Sequence, residues 1–291
     1  MALLSERCML AKARMGTWSG TLYDPNVTEE VREHHAAEHG AGRYNKQIVA
    51  RKFLHPVTSK VSAAARAHRV LTLPWADDGP RILSNRAYEM WSQTMRLARQ
   101  GIQATAKEVA AKRGEMMAEA HQRLKGMFNA DEYPEAKEIE NKFYCDTEIM
   151  PMPEAQDFRA QLSDEAVKGI VKDIERRSKE HLEAAVADIY QRIGKTVGAM
   201  VDRLKNYEPA TDIDGPKSNF KDSLIYNIKE VADLIPLLNV TEDPKLDQLG
   251  KQILGELIQH SPEELKVNTK LRANTAAKAE RIFNKVKKYM A

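Results

Sequence analysis

Residues 163–207 read SDEAVKGIVKDIERRSKEHLEAAVADIYQRIGKTVGAMVDRLKNY, and this stretch predicts one long amphipathic helix. Its apolar side chains recur at intervals typical of one helical face. Ser163 can cap the first turn, and the acidic residues after it suit the positive end of the helix dipole. Pro209 is the first helix-breaking residue beyond Tyr207. The apolar stripe consists of Val167, Ile170, Ile174, Leu182, Ile189, Ile193, Val197, Met200, Leu204 and Tyr207.

A second amphipathic stretch of similar length precedes it. It can be capped by Ser84 or Asn85, and it meets no proline before Pro134. Two such helices pack most simply as an antiparallel, coiled-coil-like hairpin, because either one alone would leave its stripe exposed. The stripe of this stretch consists of Tyr88, Trp91, Met95, Ala98, Ile102, Val109, Met116, Ala120, Leu124 and Met127.

The fold class follows from these helices and from a composition rich in helix formers with only 6% aromatic residues. We predict a mainly α protein: a long antiparallel helical hairpin on a helical base, with minor β content. The basic N-terminal segment, 1–83, contains short helices and a candidate strand. The hairpin occupies 84–208, with an insert at about 129–162. The C-terminal helical segment, 209–291, packs on the base.

Local signals predict the shorter elements. The alternating stretch from Met9 to Met15 is typical of a strand. A helix is predicted from Thr28 to Gly40, and two short ones follow on either side of Pro56, from Asn45 to Leu54 and then to about His68. In the C-terminal segment, Asp243-Pro244 and the capping box at Ser261 predict two helix starts.

Charge is distributed unevenly although the net charge is only +3. Residues 39–76 contain no acidic residue and carry +7, and residues 265–291 also sum to +7. The first 38 residues sum to −2, which leaves −9 for residues 77–264. This asymmetry indicates an anionic partner, or basic ends that fold back onto the protein's own acidic middle.

Nucleic acid is the anionic partner that the basic run would suit, since aromatic residues are interleaved with its cations. The C-terminal cluster around Lys285 is a second region of this kind, and a solvated helix end is the alternative for it. In the basic run, apolar positions such as Val57 and Val61 also mark a core-facing side. The candidate phosphate contacts are Arg43, Lys46, Arg51, Lys52, Lys60, Arg66 and Arg69.

Two short motifs lie just before or within this run. His35, Glu38 and His39 form the H-x-x-E-H pattern of inverted zinc peptidases, in which one helical face presents both histidines. No third ligand is evident, so a solvated helix end is the alternative interpretation. The glycine loop Gly40–Lys46 could offer backbone N–H groups to an anion, but it lacks the Walker A and Rossmann patterns. No nucleophile arrangement is found.

Other classes are disfavoured by composition. No apolar run approaches the length that a bilayer crossing requires, so no membrane association is predicted. Cys8 and Cys145 are far apart and lack metal-ligand spacing, which favours reduced thiols in a cytoplasmic protein. We expect no cofactor, no metal and no small-molecule substrate.

Four stretches carry a resemblance to a known family. They are Gly40–Lys46, Leu73–Leu83, Tyr133-Pro134 with Met150–Pro153, and Phe220–Asn227 leading to Asp243-Pro244. They resemble an uncharacterised protein family of bacteriophages and integrative conjugative elements. Its members are often encoded near an AAA+ ATPase of the cobalt-chelatase or MoxR type and near recombination genes. The resemblance implies a bacterial host cytoplasm, and no catalytic residues are established in the family that could be carried over to this sequence.

The function predicted from these observations is non-enzymatic. We expect an interaction or scaffold protein that self-associates or acts with an AAA+ ATPase or a DNA-processing assembly. The alternative is a direct binder of single- or double-stranded DNA that uses the run at 39–76. A zinc-dependent hydrolase centred on the H-x-x-E-H motif is the third hypothesis.

Overall fold

The computed structural model describes residues 4–75, 79–153, 163–208 and 223–290. In these ranges the chain is mainly α with a small antiparallel β component, as predicted. The last part of the predicted insert, 154–162, lies outside the described residues. The helices are α1 (Leu4–Arg7), α2 (Pro25–His34), α3 (Arg51–Val70), α4 (Asn85–Ala111), α5 (Arg113–Leu124), α6 (Ala136–Asn141), α7 (Asp164–Lys205), α8 (Ser223–Leu238), α9 (Pro244–Leu257), α10 (Pro262–Val267) and α11 (Thr269–Lys287).

The strands form one four-stranded and one two-stranded sheet. The larger sheet has the order β4-β5-β1-β6, and β1 runs antiparallel to β5 with Cys8 opposite Ser84. In the smaller sheet, β2 pairs with β3 and Thr21 lies opposite Gln47. The strands are β1 (Cys8–Gly16), β2 (Thr21–Tyr23), β3 (Asn45–Gln47), β4 (Leu73–Pro74), β5 (Arg81–Ser84) and β6 (Tyr144–Pro151).

The chain divides into two compact units, and neither is one continuous stretch. The first unit comprises Met1–Lys12, Arg69–Met90 and Ile149–Ala291. The second comprises Ala13–His68 and Trp91–Glu148. The sequence pattern predicts three consecutive segments instead.

The core of the first unit is built around α7, whose most extensive contacts are with α11. Ile193 and Ile282 are fully buried in this core. A Cβ on Gly198 would lie 3.0 Å from Cε2 of Phe283, so the glycine permits close packing. The apolar stripe of the second half of α7, from Ala185 onward, thus packs mainly on the C-terminal helix. The predicted pairing of the two long central helices is not confirmed, since most of α4 belongs to the other unit.

The turn between α8 and α9 is held by a buried asparagine. Nδ2 of Asn239 donates to the Asp243 carbonyl at 2.9 Å and to Oδ1 of Asp247 at 3.0 Å. Its Oδ1 accepts from the Asp243 N–H at 3.0 Å. Asp243 in turn caps α9, which begins at Pro244 as predicted, and Ser261 forms the predicted capping box of α10.

The second unit packs the inner face of α3 against its own core. Leu54, Val57 and Val61 are buried on this face. Further along the helix, Nδ1 of buried His68 accepts a hydrogen bond from Nε1 of Trp91 at 3.0 Å. This hydrogen bond joins α3 to α4 within the second unit.

Three local predictions differ from the structure. α3 is one continuous helix through Pro56. Burial of Leu54, Val57 and Val61 on a single face outweighs the backbone hydrogen bond that proline cannot donate. Residues 45–47 form β3, which pairs with β2, and not the start of a helix. The prediction missed this strand because its partner lies more than 20 residues away in the sequence. The other difference concerns α2, which lies at the candidate site.

Candidate nucleic-acid interface

α3 is a basic helix with one buried and one exposed side. It contains no acidic residue between Arg51 and Val70. Arg51, Lys52 and Arg66 are exposed. None of these three forms an ion pair with any residue that the structure describes. The exposed side also carries Ser59, so it presents cations and a hydroxyl to solvent.

Lys46 is placed very differently, because it is buried. Its side chain is 3% exposed, and Nζ lies 3.1 Å from Oδ2 of Asp24 and 2.8 Å from Oε2 of Glu132. Nζ also donates to the Met127 carbonyl at 3.0 Å. Burial alone would lower the pKa of Lys46, but the hydrogen bonds to Glu132 and Asp24 outweigh it and leave the pKa raised. This ammonium joins three segments of the second unit and cannot reach an external phosphate.

Asp24 has two roles in the same cluster. Its Oδ1 accepts a hydrogen bond from the Val27 N–H at 3.1 Å and so caps α2. This backbone hydrogen bond and the contact with Lys46 hold the pKa of Asp24 below its ordinary value. The carboxylate is therefore the form that the fold stabilises.

Lys60 is exposed but its ammonium is hydrogen-bonded within the second unit, and Arg69 is exposed but belongs to the first unit. Nζ of Lys60 donates to Oγ1 of Thr105 at 2.7 Å and thus links α3 to α4 within the second unit. Arg69 belongs to the first unit, where its carbonyl accepts from Nη2 of Arg192 at 3.0 Å. We therefore leave Lys46, Lys60 and Arg69 out of the candidate interface.

Arg43 lies in a cavity of about 800 Å³ formed by α2 and the loop after it. Its guanidinium lies over the ring of Tyr23, 4.2 Å from the centroid. The backbone N–H groups of Gly40 and Gly42 make no hydrogen bond within the described part of the chain. The φ angle of Gly40 is +87°, a left-handed conformation that favours glycine. The loop thus keeps donors and one arginine available to an anion.

The H-x-x-E-H motif also lines this cavity, but it is not helical. α2 ends at His34, His35 is its C-cap, and Ala36 has a left-handed φ of 49°. The two histidines therefore do not lie one helical turn apart, and the geometry assumed for a zinc peptidase is wrong. In the described ranges, no three His, Cys, Asp or Glu side chains are grouped so that they could hold a metal.

Some residues of this site carry no sequence signal. Tyr23 reaches the cavity because β2 pairs with β3, a contact between residues more than 20 positions apart. Arg32 lines the cavity and forms an ion pair with Glu29, one turn away on α2. That pair could have been found from its helical spacing, but its position at a cavity could not.

No protein-family model, curated protein or solved structure matches this chain. The site must therefore be interpreted from its own geometry. Of the helices described, none combines the length and apolar character needed to cross a bilayer.

Changing Lys46 to Met is expected to destabilise the protein by about 3 kcal/mol, because it leaves the Asp24 and Glu132 carboxylates without their cation. Urea unfolding measures this loss. Lys112→Met, at an exposed position of the same unit, is the control and is expected to change stability by less than about 0.5 kcal/mol. Equal effects of the two substitutions would contradict a structural role for Lys46.

Asp24→Asn is expected to lower the free energy of unfolding at neutral pH and to lose this effect in acid. Because the folded-state pKa of Asp24 lies below 3.8, its stabilisation is complete above that pH. It is lost as the pH falls through the lowered folded-state value. Urea unfolding across this range should show the two proteins converging below pH 3.8. A difference that persists unchanged in acid would contradict the assignment.

Proposed function

We propose that this protein is a non-enzymatic binding protein that holds nucleic acid against the exposed side of α3. The observation that carries the proposal is the set of exposed cations, Arg51, Lys52 and Arg66, on a helix without acidic residues. These cations are mounted on a helix whose opposite side is fixed in the core, so binding need not order the backbone.

The principal alternative for the basic run was neutralisation by the protein's own acidic middle. Among the seven candidate cations, Lys46 has acidic partners, Asp24 and Glu132. The three cations on the exposed side of α3 have none within the described residues. An external anion would supply the partner that the fold does not.

The dimensions of this side suit a polyanion. Lys52 and Arg66 are 14 residues apart, which corresponds to about 21 Å along a helix. Duplex DNA carries one charge per about 1.7 Å of axis, so on the order of a dozen phosphates lie within that length. Arg43 and the free amides of the glycine loop add a second anion contact in the same unit.

The sequence resemblance supports the same setting. A protein of bacteriophages or conjugative elements, encoded near recombination genes and an AAA+ ATPase, would meet DNA in the bacterial host cytoplasm. Single- and double-stranded DNA both fit the proposal, because both supply the phosphate groups that these cations would contact.

The second candidate is an interaction or scaffold role that uses the first half of α7 as a coiled-coil arm. No residue between Asp164 and Ala184 is buried. This half nevertheless carries an apolar stripe that does not belong to the described core cluster of the unit: Val167, Ile170, Val171 and Ile174. A helix from a second copy or from an AAA+ ATPase would cover it, as the predicted hairpin would have done.

DNA binding is tested by changing Arg51, Lys52 and Arg66 together to Ala. The wild type should bind labelled DNA with a steep salt dependence, and the variant should bind at least about tenfold more weakly at low salt. The slope of log affinity against log salt should fall by about 0.9 for each lost phosphate contact, measured by fluorescence anisotropy.

The matched control removes three exposed lysines of the same unit, Lys107, Lys112 and Lys137, by substitution with Ala. This variant loses the same charge and is expected to bind nearly as well as the wild type. Equal weakening of DNA binding by the two triple variants would mean that binding depends only on net charge, and it would contradict an interface on α3. Absence of wild-type binding at low salt would overturn the proposal.

The arm is tested with Ile170→Gln/Ile174→Gln. Glutamine keeps helix propensity but removes the apolar stripe, so self-association of the wild type should be lost. Lys172→Gln/Lys179→Gln, on the opposite side of the helix, is the control and should associate normally. Analytical ultracentrifugation at about 100 μM measures the mass, and a monomeric wild type would contradict pairing of two copies.

A further inference from the structure

A cavity different from the one that Arg43 lines lies in the first unit, and both polar and apolar side chains line it. It has a volume of about 280 Å³ and is formed by α7, α9 and the end of α11. Three lysines, two glutamines and two tyrosines line it, with Leu249 and Val286 as apolar residues. No carboxylate of a described residue lines the cavity itself, although Oε1 of Glu256 accepts a hydrogen bond from Nε2 of the lining Gln252 at 2.9 Å. The polar side chains are Lys245, Gln248, Gln252, Lys285, Lys288, Tyr190 and Tyr289.

Helical spacing brings these groups together. Lys245, Gln248 and Gln252 lie at positions i, i+3 and i+7 of α9, so they share one face. Lys285 and Lys288 lie three residues apart at the end of α11. α9 and α11 are packed against each other in the same unit, which closes the two faces on one cavity.

Tyr190 brings to the cavity a phenol hydroxyl that has no hydrogen-bond partner among the described residues. The residue is only 5% exposed, yet its hydroxyl makes no hydrogen bond to any described residue. The hydroxyl oxygen is accessible to solvent, and the residue lines the cavity. The ring is fixed by stacking on Tyr289, with centroids 4.7 Å apart. Burial raises the pKa of Tyr190, and so the phenol stays protonated and can donate.

All three lysines of the cavity are exposed to solvent. Nζ of Lys285 donates to Oε1 of Gln252 at 3.2 Å, a neutral acceptor. Lys245 and Lys288 form no ion pair with any residue in the described ranges. Three ammonium groups around one small cavity repel each other, and an anion between them would turn this repulsion into attraction.

We propose that this cavity is a binding site for a terminal phosphate or diphosphate group. Tetrahedral phosphate oxygens accept several hydrogen bonds at once, which matches the ammonium and phenol groups and the Gln248 amide that line the cavity. The volume of about 280 Å³ lies just below the roughly 300–1,000 Å³ of typical small-molecule sites, so the cavity suits a phosphate group with at most a small attached moiety. A free phosphorylated small molecule and the 5′-phosphate end of a nucleic acid strand both supply this group.

The site is tested by isothermal titration calorimetry of the full chain with pyrophosphate and adenosine monophosphate at about 150 mM salt, where diffuse surface attraction is screened. The wild type should bind saturably at one site. Lys245→Gln and Lys288→Gln should each weaken binding at least about tenfold, and Tyr190→Phe about threefold or more. Tyr190→Phe retains the stacked ring, so a loss of binding in this variant would not reflect misfolding.

Lys287→Gln is the matched control, since Lys287 is exposed beside Lys288 but does not line the cavity. It should bind as the wild type does. Absence of saturable wild-type binding, or equal weakening by Lys287→Gln and Lys288→Gln, would overturn the proposal.

Oligonucleotides with a 5′-phosphate or a 5′-hydroxyl distinguish the two sources of the group. A cavity-dependent preference for the phosphorylated strand identifies a strand end, and its absence with retained pyrophosphate binding identifies a free ligand. The triple α3 variant should still bind pyrophosphate, so the cavity and the α3 interface can fail independently.

Discussion

The ammonium of Lys46 lies between the carboxylates of Asp24 and Glu132, and the second unit depends on this buried cluster. Removing a charge from water is costly unless it is paired and hydrogen-bonded. Here the pairing joins β3, the start of α2 and the chain near Glu132. It fixes both ends of the segment that contains the glycine loop and the H-x-x-E-H motif. The segment that lines the cavity with Arg43 is therefore held at both ends by this cluster of ion pairs.

The same cluster divides the basic run into two kinds of cation. Lys46 neutralises acidic groups of the fold, whereas Arg51, Lys52 and Arg66 have no acidic partner in the described ranges. A run of like charges is usually only a solvated surface. In α3 those charges are concentrated on a rigid helix whose other side is buried, which makes an external polyanion the best-supported partner.

Local patterns predicted much of the helical framework. The capping residues of α9 and α10, the start of α7 at Ser163 and the strand containing Met9 follow from signals within a few residues. Non-local contacts set the rest. The stripe of α7 did not specify α11 as its partner, because any apolar helix would satisfy it.

The candidate sites were predicted only in part for the same reason. Composition identified the basic run, but it could not show that Lys46 is buried whereas Arg66 is exposed. The H-x-x-E-H pattern wrongly predicted a helical metal site, because α2 ends at His34, before both histidines of the motif, and Ala36 has a left-handed φ. The cavity that contains Tyr190 joins residues from three helices that are about 30 to 100 positions apart in sequence, so no local motif indicates it.

We propose that nucleic acid lies along the exposed side of α3. Site-specific photo-cross-linking tests it most directly, with a benzophenone amino acid replacing Ser59 on that side or Gln103, an exposed residue of α4 in the same unit. Bound DNA should be cross-linked efficiently from position 59 and poorly from position 103. Bound DNA that is cross-linked equally from both positions, or only from position 103, would contradict it.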